Sequence, residues 1–173
     1  MGEKNEIQTV EELLAHALAL EQEAAERYRD LADQMDVHNN PEVSELFARM
    51  SSVEKIHVDS IKKRAKGMDL PHIPPWEYKW LDFEPPEMVP ETDVHYLMTP
   101  YHALSLALTA EERGYDFYMH VTKVVKDESA LALATELAEE EREHVELMKK
   151  WLAKYPKPDS DWNEDPDPPV MPT

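Results

Sequence analysis

Four glutamates and two histidines stand where apolar residues belong. Read at alternating steps of three and four, one stripe runs Leu14, Ala17, Glu21, Ala24, Tyr28, Leu31, Met35. A second runs Val43, Phe47, Met50, Glu54, His57, Ile61. A third runs Leu104, Leu108, Glu111, Tyr115, Tyr118, Val125, with Thr122 weakly in phase. A fourth runs Ala130, Ala134, Leu137, Glu141, His144, Met148, Trp151. A glutamate interrupts every stripe, and in two of them a histidine follows three residues later on the same face. A buried, unpaired carboxylate costs several kcal/mol, and four in one core repel one another. A pair of divalent cations removes both penalties: four carboxylates balance four positive charges, and each imidazole supplies a neutral nitrogen. The pattern predicts a dinuclear metal site built from Glu21, Glu54, His57, Glu111, Glu141 and His144.

One Glu-x-x-His is weak evidence, since surface ion pairs at that spacing are common. Two of them, both on apolar stripes and each matched by a glutamate on another stripe, are much harder to attribute to chance. The chain also repeats itself. Tyr28 follows Glu21 by seven residues and Tyr118 follows Glu111 by seven, while Glu54-x-x-His57-Val58-Asp59 parallels Glu141-x-x-His144-Val145-Glu146. A helix hairpin used twice would give each half of the site one copy. Tyr28 and Tyr118 read as core residues that hydrogen-bond near the site, with a redox role as the sharper alternative. His16, His38, His72, His95, His102 and His120 read as surface or packing residues.

The elements that must position these groups are clearly punctuated. Thr9-Val10-Glu11-Glu12 reads as a capping box opening a helix to about Asp36. Asn40-Pro41 opens a second, to about Lys66, with Gly67 as its stop. Thr99-Pro100 opens a third, to about Lys126. Asp127 caps a fourth, to about Lys154 ahead of Pro156, and all 14 prolines fall outside the helix interiors. Each central glutamate lies within about two residues, roughly 3 Å, of its helix midpoint, so all four share one level whichever way the helices run. Short links make two antiparallel hairpins, and residues 68–99 form one long crossover between them. The expected fold is all-α, a ferritin-like four-helix bundle over residues 1–155, followed by a proline-rich acidic tail over 156–173 that is either poorly ordered or laid along the surface. Trp76, Tyr78, Trp80 and Phe83 are expected to tack the crossover to the bundle; a flap over the site is the alternative.

Composition bounds the partners. The 173 residues carry 18 basic and 37 acidic side chains, a net charge of −19, which argues against nucleic acid and anionic membranes. There is no cysteine, which excludes disulfides, thiol catalysis and thiolate-ligated iron within these residues. No apolar run of membrane-spanning length occurs, and the polar N-terminus is unlike a signal peptide, so a cytoplasmic location is expected.

These residues resemble the ferritin-like superfamily and most closely its rubrerythrin-like branch. The resemblance spans about residues 10–154 and is carried by Glu21 with Tyr28, Glu54-Lys55-Ile56-His57, Glu111 with Tyr118, and Glu141-Arg142-Glu143-His144. It implies the same six ligands, with Glu54 and Glu141 as bridges, and two iron ions per chain, although manganese or zinc would satisfy similar ligands. It further implies reaction with O2 or H2O2, an external electron donor and a homodimer. Two departures stand out. A rubredoxin domain is lacking, and the extra carboxylate that rubrerythrins carry one turn after the third-helix ligand is here Gly114. That glycine reads either as open space beside the metals or as close helix packing. The leading functional expectation is an oxidoreductase, either a ferroxidase or a peroxide or O2 reductase. Iron binding or storage without turnover is a second reading, and a metal-free helical module a third.

Overall fold

The computed structural model describes residues 6–82, 84–90 and 93–164. Among them are four long helices: α1 (Val10–Val37), α2 (Pro41–Arg64), α3 (Pro100–Val124) and α4 (Glu128–Leu152). Their starts coincide with the capping residues read from the sequence. The Thr9 hydroxyl accepts from the Glu12 amide, the Asn40 side chain from the Val43 amide, and the Asp127 carboxylate from the Ala130 amide. At Thr99 the cap is reinforced by His102, whose Nδ1 accepts from the Thr99 amide. Glu12 does not close its capping box as expected; its carboxylate pairs instead with Lys79 Nζ, 2.6 Å away. Helix ends differ from the expected ones by one or two residues. Asn39, at φ 56°, turns α1 into α2, and Gly67, at φ 81°, lies just beyond α2.

α1 packs chiefly on α2, and α3 on α4. Within the first hairpin the buried Ser51 hydroxyl donates to the Ala25 carbonyl at 2.8 Å, satisfying a polar group where the helices meet. The core divides into two apolar clusters. One gathers Leu13, Leu14, Ala17 and Leu20 of α1 with Ile61 of α2, Phe117, Tyr118 and Val121 of α3, and Ala130, Ala134 and Leu137 of α4. The other gathers Tyr28, Leu31 and Met35 with Val43, Phe47 and Met50, Ala103, Leu104 and Ala107, and Met148. The clusters bring the start of α1 to the end of α2, the end of α3 and the start of α4. Hence α1 and α4 run one way and α2 and α3 the other, the result of a crossover that returns along the bundle's length. The glutamate layer lies between the clusters.

The stripe read on α3 needs one correction. Its inner face runs through Ala103, Leu104, Ala107, Ala110, Glu111, Gly114, Phe117, Tyr118 and Val121, whereas Leu108 and Tyr115 sit half-buried at its margin. Small residues let this helix present a broad face, so a single line of three- and four-residue steps drifts off it.

The crossover is held along its length. The buried His16 ring accepts through Nε2 from the Lys79 amide at 3.0 Å and meets the Tyr78 and Trp80 rings edge-on at 5.1 Å each. Trp80 also packs on Phe117. Farther along, Arg27 Nε donates to the Val89 carbonyl at 2.7 Å, Arg113 Nη2 to the Met88 carbonyl at 2.8 Å, and Asn40 Nδ2 to the Met98 carbonyl at 2.8 Å. Tyr78 and Trp80 thus tack the segment down as expected. Trp76 does not, since it is 81% exposed, and Phe83 lies outside the described residues. Of the tail, Trp162 stacks on His102 with ring centroids 3.6 Å apart; residues 165–173 lie outside the described range. No described helix is long and apolar enough to cross a membrane.

Candidate metal centre

Six of the predicted side chains converge at the level between the two clusters, in two matching groups. Glu21, Glu54 and His57 come from the first hairpin and Glu111, Glu141 and His144 from the second. Within each group, one ligand atom per residue lies within 4.8 Å of the others. The helix geometry explains this directly: a three-residue step advances about 300°, which keeps Glu54 and His57, or Glu141 and His144, on one face. His57 Nδ1 sits 3.1 Å from Glu54 Oε2 and 3.4 Å from Glu21 Oε2. His144 Nδ1 sits 3.6 Å from both Glu111 Oε2 and Glu141 Oε2. The two imidazoles stack across the hairpin boundary, centroids 4.2 Å apart and planes 7° from parallel. All four glutamates are buried, while the histidines keep about a fifth of their side-chain surface exposed.

A fifth carboxylate, unseen in the sequence, completes the layer. Glu87, from the crossover, is 2% exposed. It lies within the same 4.8 Å of Glu21 and Glu141, from α1 and α4, and of Glu54 and Glu111, from α2 and α3. The room for it is made by Gly114, where a Cβ would collide with the Glu87 carboxyl and stand 3.2 Å from its Cγ and Cδ. Gly114 is therefore neither open space nor a helix–helix contact: a glutamate from another element fills the place. The crossover sequence Glu84-Pro85-Pro86-Glu87-Met88-Val89-Pro90 carries no helical period to single this residue out. The available signal was indirect, a missing carboxylate at Gly114 beside a glutamate-bearing segment of the right reach.

The electrostatics are those of an overcrowded acidic layer. Burial first, then the charges of Glu141 and Glu54, push the Glu21 carboxyl well above its ordinary range. Burial dominates at Glu87 and Glu111 as well, and both are likewise raised. At Glu54 burial is outweighed by hydrogen bonds with His57 and Glu21, so that carboxyl is held low. Burial opposes the charging of His57 and His144, but the neighbouring glutamates prevail, through the hydrogen bond with Glu54 at His57 and the close carboxylates of Glu111 and Glu141 at His144; His57 is raised and His144 is pushed up to about 10. Even so, Glu21 Oε2, Glu87 Oε1, Glu111 Oε2, Glu141 Oε2 and His144 Nδ1 have no hydrogen-bond partner among the described residues. Buried donor atoms of oxygen and imidazole nitrogen, orphaned together at one level, one in the first group, three in the second and one on Glu87, are what a pair of transition-metal cations fits.

Tyr28 and Tyr118 are both buried, two helical turns from Glu21 and Glu111. Burial raises both phenols, helped chiefly by the charge of Glu111 at Tyr28 and of Glu21 at Tyr118. Each tyrosine therefore senses the glutamate of the other hairpin, and the Tyr118 hydroxyl, expected to hydrogen-bond near the site, has no hydrogen-bond partner among the described residues.

An all-helical bundle of two hairpins around such a layer defines a ferritin-like carboxylate protein. Residues 12–98 and 102–168 match the Rubrerythrin family, and the chain belongs to it. It is similar over 87% of its length, at 43% identity and a TM-score of 0.67, to a crystal structure of an uncharacterized conserved protein from Magnetospirillum magnetotacticum MS-1, 98% of which is covered. No curated protein matches the chain.

Proposed function

We propose that the protein is a di-iron oxidoreductase that reduces O2 or H2O2 with electrons from an external donor. Glu21, Glu54 and His57 would hold one ion and Glu111, Glu141 and His144 the other. The observation that carries this reading is the pair of matching Glu–Glu–His groups with orphaned donor atoms at one level of the core. When bound, the iron pair supplies redox chemistry that oxygen and nitrogen side chains lack on their own. The protein's part is to hold, shield and protonate. The apolar clusters above and below exclude water from the layer. The raised carboxyls carry protons that leave as metal enters, and Tyr28 and Tyr118 stay protonated next to the ligands. His57 and His144, each about a fifth exposed, are where the six-residue set meets solvent, and a small oxidant and solvent protons would enter there. These residues hold no cysteine for a thiolate iron centre, which supports a donor outside them.

Anaerobic Fe(II) titration, followed by stopped-flow mixing with O2 or H2O2 and re-reduction by a chemical donor, tests the proposal. Two irons per chain and repeated oxidation are expected. A protein that binds two irons but stays reduced with both oxidants would leave metal binding without turnover.

A further inference from the structure

We propose that Glu87 is a seventh ligand of the centre, delivered by the crossover instead of a bundle helix, so that metal loading locks the crossover onto the bundle. The inference rests on the dinuclear reading and adds to it an element with no helical role.

Three observations converge on Glu87. Its carboxyl is buried, with Oε1 lacking a hydrogen-bond partner among the described residues. It sits within 4.8 Å of the α1–α4 pair Glu21 and Glu141 and of the α2–α3 pair Glu54 and Glu111, so it reaches glutamates of both hairpins and faces the space the two ions would share. Its backbone is fixed on the downstream side, where Arg113 holds the Met88 carbonyl and Arg27 the Val89 carbonyl. Those two arginines bridge the crossover to α3 and α1, and they aim the glutamate inward. Gly114 supplies the complementary half of the design. Any side chain there would occupy the Glu87 carboxyl's place, so the chain has exchanged a carboxylate on α3 for one reaching across from the crossover.

A glutamate buried among four others destabilises the fold unless cations compensate it. A structural role would be served better by an apolar residue in the same place. A ligand role explains its type, its orphaned oxygen and the glycine opposite. It also makes the crossover responsive: with ions bound, the segment around Glu87 is tied to both hairpins through the metals as well as through its arginines.

The test uses the full chain with Co(II) under anaerobic conditions, in wild type, Glu87→Gln and the exchange variant Glu87→Ala/Gly114→Glu. Three quantities are read: Co(II) bound per chain with its affinity, the visible absorption of the bound Co(II), and hydrogen exchange at the Met88 amide with and without metal. Wild type should bind two Co(II) and slow exchange at Met88 on loading. Glu87→Gln should still bind two, but at least about tenfold more weakly, with a changed absorption spectrum and no slowing at Met88. The exchange variant should recover affinity, because a carboxylate returns from α3, without recovering the slowing. Should that variant fail to fold, Glu87→Gln alone decides. A Glu87→Gln protein with wild-type affinity, spectrum and Met88 protection overturns the ligand assignment, as does weaker binding with an unchanged spectrum. Wild type binding fewer than two Co(II) overturns the dinuclear reading itself, a separate result.

Discussion

Glu21→Gln should make the metal-free protein more stable and the metal-loaded protein less so. Glu21 is 4% exposed, and its carboxyl is raised by burial and by the charges of Glu141 and Glu54. In the metal-free fold it is best protonated, donating to Glu54, which gains from that bond. Glutamine has the same shape and donates the same hydrogen bond without having to take up a proton. Protonating a carboxyl of ordinary value 4.5 at about pH 7 spans about 2.5 pH units at about 1.36 kcal/mol each, roughly 3.4 kcal/mol. That sets the ceiling on the gain. A chain of this size shifts its Tm by about 2–4 °C per kcal/mol, so metal-free Glu21→Gln should melt up to roughly 7–14 °C higher. The gain should shrink as pH falls toward about 4.5, where wild-type Glu21 protonates at no cost. With metal added the order should reverse, because an amide is a poorer ligand than a carboxylate. Calorimetry at several pH values, with chelator and with Zn(II), gives all of these quantities. A metal-free variant that melts at or below wild type near neutral pH, or a gain independent of pH, would refute the picture of an overcrowded acidic layer.

Replacing His57 or His144 by alanine should each reduce bound metal below two per chain, as measured by elemental analysis after gel filtration. Metal-free wild type should lose stability as pH rises from about 4.5, the ordinary carboxyl value, to about 10. Groups whose values are raised by folding (Glu21, Glu87, Glu111, His57, and His144 at about 10) stabilise below their ordinary values, and that contribution fades as pH rises through the folded ones. Added Zn(II) should do the opposite, raising Tm more at the alkaline end of that window because its ligands must lose protons; a metal-induced shift that shrinks with pH would contradict the ligand set. Gly114→Ala should cost about 1–3 kcal/mol of stability from the collision with Glu87, offset in part by alanine's helix preference of about 1 kcal/mol. In a Glu87→Ala background the same change should become neutral or stabilising, and denaturation of all four proteins measures that coupling. His16→Ala should leave metal affinity nearly unchanged while speeding proteolysis near Lys79, whose amide it holds.

The helices were legible because their signals are local and redundant. Thr9, Asn40, Thr99 and Asp127 cap the helices they precede, and proline stays out of every interior. The six converging residues were legible because a charge on an apolar stripe contradicts its surroundings, and two such contradictions shared a spacing. Glu87 escaped for the complementary reason. A crossover is organised by contacts with distant residues, here Arg27, Arg113 and Gly114, and a glutamate in it breaks no local rule. The exposure of Trp76 beside the packed Tyr78 and Trp80 is of the same kind, since no period distinguishes three aromatics in five residues. His102 read as surface or packing and turned out to cap its own helix, a role visible only once the Thr99 amide is placed.

The division of the core into two apolar clusters bears on how the chain reaches its fold. Each hairpin can close on contacts between sequence neighbours, a fast process. Docking one hairpin on the other is different, because closing both clusters also brings Glu21 and Glu54 against Glu111 and Glu141 in the layer between them. The charged layer thus lies on the route as a barrier, which protons or cations lower. Refolding of the metal-free chain should accelerate on mild acidification, and metal supplied during refolding should act on the docking step rather than on helix formation. The layer that would perform the chemistry would also set the pace of assembly.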